Sequence, residues 1–188
     1  NNIRGIFAGG FEGGPTNGRI STIQALTIPT VGEIFDFGDL QFSSQQLSGV
    51  GNETRGVIAM GYAYPNMSPV SNNSLNMHYT MINLMSSANR TDFGDIIPNA
   101  ASRDLATCST PIRGYFAGGE GTGLDSPSHN KNITIKGFAN DSESLNFGEL
   151  RTLSQRGACL GSATRGVFII GSTIPAFVNS MEYITLTT

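Results

Sequence analysis

The chain has 188 residues, a formal net charge of −3 and only 13% charged residues. Its few basic residues form no stripe of the kind a nucleic-acid binder needs, and no apolar stretch is long enough to cross a membrane as a helix. With 24 glycines, abundant Ser, Thr and Asn, and no charge-rich amphipathic run, the composition points to an all-β chain with many turns.

In chain order, the first strand signal is Arg4-Gly5-Ile6-Phe7-Ala8-Gly9-Gly10, a short apolar run closed by glycines. Such a run suits a strand buried on both faces, and the glycines permit positive φ where the chain turns. A period-2 segment follows from Ile20 to Ile28, then Glu33-Ile34-Phe35-Asp36-Phe37 leading into Gly38-Asp39-Leu40. Gln46 to Gly51 is a strand of small side chains, and the cycle then restarts at Arg55-Gly56-Val57-Ile58-Ala59-Met60-Gly61.

The Arg-Gly phrase returns at Arg113 and Arg165, with spacings of 51, 58 and 52 residues; the Phe-Gly phrase occurs at Phe37, Phe93 and Phe147, spaced by 56 and 54. The remaining alternating segments are Leu75 to Ile82, Asn132 to Phe138 and Met181 to Leu186, and the remaining small-residue segments are Asp104 to Ser109 and Gly157 to Gly161. Two phrases at one period mean one supersecondary unit copied in tandem. The repeats span approximately 1–51, 52–109 and 110–161, with a partial copy over 162–188. A repeat near ~50 residues with four strand signals reads as a β-propeller blade of the kelch type. The first copy lacks its inner strand and the last its Phe-Gly strand, so the expected form, of about three and a half repeats, is an open arc, a segment of a longer propeller or a partner-completed propeller, with a four-bladed closure of two incomplete blades as the alternative.

Residues that recur in every copy are expected to be scaffold. Asp39 precedes Arg55 by 16 residues, Asp95 precedes Arg113 by 18 and Glu149 precedes Arg165 by 16, which suggests a repeated ion pair or a charge-to-backbone hydrogen bond. Phe37, Phe93 and Phe147 are expected as buried aromatics between blades. Cys108 and Cys159 occupy matching inner-strand positions and are expected as small buried thiols rather than a disulfide.

Binding is expected where the copies differ. Those segments are Phe11 to Asn17, Tyr62 to Asn73, Glu120 to Lys131 and Ser172 to Val178, all loop-like in composition. Tyr62 and Tyr64 could stack on sugar rings, with Asn66, Asp125 and His129 as polar contacts. The two histidines, His78 and His129, form no metal motif, and there is no Cys-x-x-Cys, phosphate loop or nucleophile elbow, so no cofactor or metal is expected.

The blade order resembles kelch repeats, but the chain has no Trp where kelch blades carry one. The combination of Arg-Gly-(Val/Tyr/Ile)-Phe-Ala-Gly-Gly, Ile-Thr-Ile and Asp-Phe-Gly-Asp-Leu more closely resembles tandem repeats in large structural proteins of marine tailed phages, cyanophages included. That resemblance covers nearly the whole chain. It implies a non-enzymatic virion protein of a tail, fibre or appendage, with other virion proteins, copies of itself or a host-surface glycan as partners. It marks no catalytic residue. The alternatives are a glycan-active propeller enzyme, which would need acids such as Glu12, Glu33, Glu53, Asp104, Asp125, Asp141 and Glu143 to converge, and a cellular kelch-type adaptor.

Overall fold

The computed structural model describes residues 1–13, 18–30, 32–59, 61–64, 78–86, 90–96, 103–121, 129–142, 144–173 and 176–186. The strands are β1 (Arg4–Ala8), β2 (Ile20–Thr27), β3 (Phe35–Gln45), β4 (Ser48–Gly51), β5 (Arg55–Ala59), β6 (Tyr62–Tyr64), β7 (His78–Asn83) and β8 (Thr91–Asp95). They continue with β9 (Ala106–Ser109), β10 (Arg113–Ala117), β11 (Asn130–Gly137), β12 (Leu145–Ser154), β13 (Ala158–Gly161), β14 (Arg165–Ile169) and β15 (Met181–Thr185). The described residues contain no helix. Four antiparallel sheets result: β1-β2-β3-β6, β4-β5-β7-β8, β9-β10-β11-β12 and β13-β14-β15.

Each Arg-Gly strand enters its sheet through the same local device. Three residues before the arginine stands Asn1, Asn52, Thr110 or Ser162, and its side-chain oxygen accepts the arginine's backbone N–H at 2.7, 2.8, 3.2 and 3.1 Å respectively. Short polar side chains bend the backbone this way by mimicking a backbone acceptor. The Phe-Gly phrase has a second device. Asp36, Asp92 and Asn146 each accept the N–H of the glycine two residues on, at 2.9, 3.1 and 3.0 Å. Those glycines have φ of 123°, 84° and 155°, and the ladder shifts register beside each of them. The glycine is therefore needed for a bulge, and the preceding Asp or Asn holds it.

The core lies between sheets. Register places Ile6, Ala8, Ile23 and Ala25 on one face of the first sheet, packed with Ile58 and Ile82 of the second. Val57, Ala59, Tyr79 and Phe93 of the second sheet meet Leu105, Phe116 and Phe138 of the third. Tyr115, Ala117, Ile133 and Leu150 of the third meet Phe168, Ile170 and Leu186 of the fourth. Each fully buried Phe or Ile here contributes about 1.5–3 kcal/mol of apolar burial. In the two inner sheets, odd and even positions of the Arg-Gly strand face opposite neighbours, as the strand period of two requires.

Three expectations need correction. Tyr62 to Asn73 does not begin as a loop: Tyr62–Tyr64 forms β6 and pairs with Ser43–Gln45 of the first sheet. Asn130 and Lys131 belong to β11 rather than to the preceding loop. The inner strands start later than expected, because Gln46 and Asp104 adopt φ of 57° and 55°, a left-handed conformation that no strand continues through.

Candidate functional site

The polar residues expected to bind ligand do not form one open site. Asn66 and Asp125 lie outside the described residues, and Tyr64 is described only as a backbone partner of Ser43. Tyr62 is half-buried, with the Arg19 guanidinium 4.0 Å and the Arg103 guanidinium 5.2 Å from its ring centroid. Arg103 also pairs with Glu120, the residue it bridges on the backbone, while Arg19 bridges to Phe11. This cluster joins the first sheet to the third at the edge from which the variable segments leave. Cation–π contact holds the tyrosine, so a sugar ring stacking there would first have to displace a guanidinium. His129 is not a solvated loop residue but a buried one, and among the described residues neither ring nitrogen has a hydrogen-bond partner.

The repeated charges separate into two systems. The acids act within a sheet: Asp39 accepts from the Ser21 hydroxyl at 3.1 Å, Asp95 pairs with His78 at 2.5 Å, and Glu149 pairs with Lys131 at 2.6 Å. Each ties the start of the alternating strand (β2, β7 or β11) to the neighbouring Phe-Gly strand (β3, β8 or β12). Two of the arginines act between sheets. Arg4 donates from Nη1 to the Leu84 carbonyl at 2.6 Å, and Arg55 donates from Nη1 to the Phe138 carbonyl. Leu84 and Phe138 directly follow the alternating strand of the next sheet, β7 and β11. Asp39 and Arg55 thus do not pair as the ion-pair expectation had it; for Arg55 the charge-to-backbone alternative is what the geometry contains. Arg165 lies exposed over the Tyr183 ring at 4.9 Å. Such a cross-sheet bond was invisible in the sequence because donor and acceptor are about 80 residues apart, yet its acceptor could be found by counting from each Arg-Gly phrase to the end of the following alternating segment.

The acids that a catalytic reading needs do not gather. Glu12, Glu33, Glu53 and Asp141 are exposed on separate elements, and Asp125 and Glu143 lie outside the described residues. Asp104 accepts from Gln46 Nε2 at 2.9 Å and from Arg156 Nε at 3.4 Å. Its backbone belongs to a chain of equivalent left-handed residues, with Asp104 N–H donating to the Gln46 carbonyl at 3.3 Å and Arg156 N–H to the Asp104 carbonyl at 3.1 Å. That is a structural role joining three consecutive sheets.

A cleft of about 410 Å³ opens beside the unpaired edge of β1, lined by Arg4, Ile6 and Ala8 on one side and by Ser48–Gly51 of β4 on the other. It occupies the place an inner strand takes in the other sheets. Further along the inner strands, Cys108 and Cys159 are free thiols on β9 and β13, packed in one cluster. The hydrogen bond to Cys108, then burial, pushes the Cys159 thiol up and keeps it protonated. Lys136 is buried between the second and third sheets, its ammonium 4.5 Å from the Phe93 ring centroid and donating to the Ser142 carbonyl. Burial lowers its pKa, opposed by Asp141, Asp92 and Asp95. Burial likewise raises the pKa of Tyr79, opposed by its hydrogen bonds with Thr134 and Ser144. These shifted groups sit inside sheet interfaces, where they hold packing rather than face a substrate.

No protein-family model matches the chain, and no curated protein matches it.

Proposed function

We propose that this chain is a non-enzymatic structural module, a run of kelch-like β-propeller blades serving as a rigid platform in a tailed-phage virion. Its variable segments would face a host-surface glycan or neighbouring virion proteins. The observation that supports the platform role is that the residues repeated from sheet to sheet serve turn caps, bulges and cross-sheet hydrogen bonds. The virion assignment rests on the repeated phrases and their resemblance to phage structural proteins.

The test is peptide mass spectrometry of purified particles from a phage carrying this gene, alongside incubation of the purified chain with host polysaccharides. Peptides of this chain in the particle at structural stoichiometry, with the polysaccharides unchanged, are the expected result. Absence from the particle would overturn the virion role, and release of new reducing ends would overturn the non-enzymatic one.

A further inference from the structure

We infer that the guanidiniums of Arg19 and Arg103 and the imidazole of His129 form a binding site for the carboxylate of an acidic sugar, a uronate unit of a surface polysaccharide. This rests on the glycan part of the reading above and names the class of glycan.

The unmet hydrogen bonds of the chain point to the place. Among the described residues, the buried side-chain nitrogen and oxygen atoms without a partner are Arg19 Nε, Arg103 Nε, both ring nitrogens of His129 and Gln155 Oε1. Buried polar groups are ordinarily hydrogen-bonded, so orphans gathered in one region call for a partner that the chain does not supply.

Register brings them into one layer. Gln45 pairs with Tyr62, Arg103 bridges to Glu120 and Gln155 bridges to Ser172. It is the same junction each time, because the first residue of each pair stands just before a left-handed residue, Gln46, Asp104 or Arg156. Arg19 bridges to Phe11, and the N–H of the next residue, Ile20, donates to the Gly10 carbonyl at 3.2 Å. In the third sheet the Asn130 N–H donates to the Gly119 carbonyl at 2.9 Å. The same register sets His129 across from Glu120 as Arg19 is set across from Phe11. The fold keeps these junctions and changes the side chains on them, whereas the turn caps and bulges recur. Variation on a fixed frame is where binding resides.

The charges select the ligand. Both guanidiniums lie on the Tyr62 ring, and on both the Nε–H is left without an acceptor. Arg103 is neutralised by Glu120, but among the described residues Arg19 has no carboxylate within ion-pair reach. Of the acids adjacent in sequence, Glu12 is exposed and Asp104 is taken by Gln46 and Arg156. The cluster thus holds one positive charge in excess. That suits a carboxylate better than a phosphate, which carries about 1.5–2 negative charges. His129 is 9% exposed, and a neutral imidazole brings one donor and one acceptor. Guanidinium and imidazole N–H groups match the acid, and the imidazole acceptor matches a hydroxyl on the same sugar. The chain's net charge of −3 gives no general pull on a polyanion, so binding of one must come from a local site.

Isothermal titration calorimetry of the purified chain is the experiment, with oligomers of galacturonate and of glucuronate, their methyl esters, and a sulfated galactan oligomer. Binding of an acid form alone is the expected result. Arg19→Gln should weaken it by about tenfold or more. His129→Leu fills a buried position without polar atoms, and should keep the parent circular dichroism and weaken binding as well. Arg151→Gln changes an exposed arginine of β12 outside the cluster and should bind like the parent. No binding of either acid oligomer would overturn the site, as would equal binding of a methyl ester. Equal binding of the sulfated oligomer would overturn the carboxylate assignment. An equal loss in Arg151→Gln would mean diffuse attraction, which also overturns the site. Failure here leaves the virion platform standing, while absence of the chain from particles would remove the virion role and leave the site intact.

Discussion

The inner two sheets and the outer two share the Arg-Gly phrase, yet equivalent residues have opposite fates. Phe116 of the third sheet is buried and packs its ring 5.0 Å from that of Tyr79, whereas Phe7, at the same place in the first sheet, faces water. Gly114 of the third sheet is crowded by Val50 of the preceding inner strand, and Gly5 is not crowded. Arg55 is bonded across to the next sheet, and Arg165 rests on its own Tyr183. A side chain in this fold is thus buried by the neighbouring sheet, not by its own. The exposed apolar residues of the two end sheets stand at positions that the inner sheets bury.

The contrast can be tested position by position in the purified chain. The largest difference should come from the aromatic. Phe116→Ala should lower unfolding free energy by about 3–5 kcal/mol, while Phe7→Ala should stay within roughly 0.5 kcal/mol, both read by urea titration. Equal losses would break the distinction. Next comes the glycine of the phrase: Gly166→Ala should cost about 1–3 kcal/mol by overpacking against Cys108 and Leu186. Gly5→Ala should be neutral or stabilise by up to about 1 kcal/mol, because alanine loses less backbone freedom in a strand.

The arginines should follow. Arg55→Ala leaves the Phe138 carbonyl without its donor and should cost about 1–3 kcal/mol, whereas Arg165→Ala should cost roughly 0.5 kcal/mol or less. Equal melting temperatures for the two variants would show that the cross-sheet bond contributes nothing.

The smallest effect is a pH slope. Burial lowers the pKa of Lys136 in the folded chain, so over the window from that lowered value up to about 10.4 the unfolded chain holds more protons. Stability should therefore rise with pH across that window. The raised pKa of Tyr79 acts in the other sense at the top of it: above about 10 the unfolded tyrosine ionises first, and stability falls. Lys136→Met should flatten the rise and leave the fall. A rise of unchanged slope in that variant would assign it to another group.

Much of the local architecture was legible before any coordinates. The apolar Arg-Gly run, the alternating strand and the small-residue inner strand all became strands, because each has a pattern within its own four to eight residues. The aromatic positions were legible too: Phe37 and Phe93 are buried, and Phe147 packs edge-on against Tyr115 with centroids 5.4 Å apart. The turn oxygen three residues before each arginine was equally present in the sequence but changes identity between Asn, Thr and Ser, so a search for identical residues passes over it. β6 was not legible, since its partner is the distal end of β3 and three residues carry no period of their own. Tyr62 and His129 read as solvated loop residues because a short tyrosine-rich or polar segment gives no sign of the guanidiniums or the burial that await it.

What the chain determines by sequence alone is therefore each sheet's interior: hydrogen-bond ladders, bulge glycines and turn caps all act over a few residues, and their chemistry is written beside them. What only the tertiary structure decides is the relation between sheets. Arg4 and Leu84 are 80 residues apart, and identical phrases cannot say which copy has a neighbour on each side. The partner of each arginine, the crowding of each glycine and the two bare faces depend on how many sheets are stacked and where the stack ends. Burial is a property of that stack, and no single strand carries it.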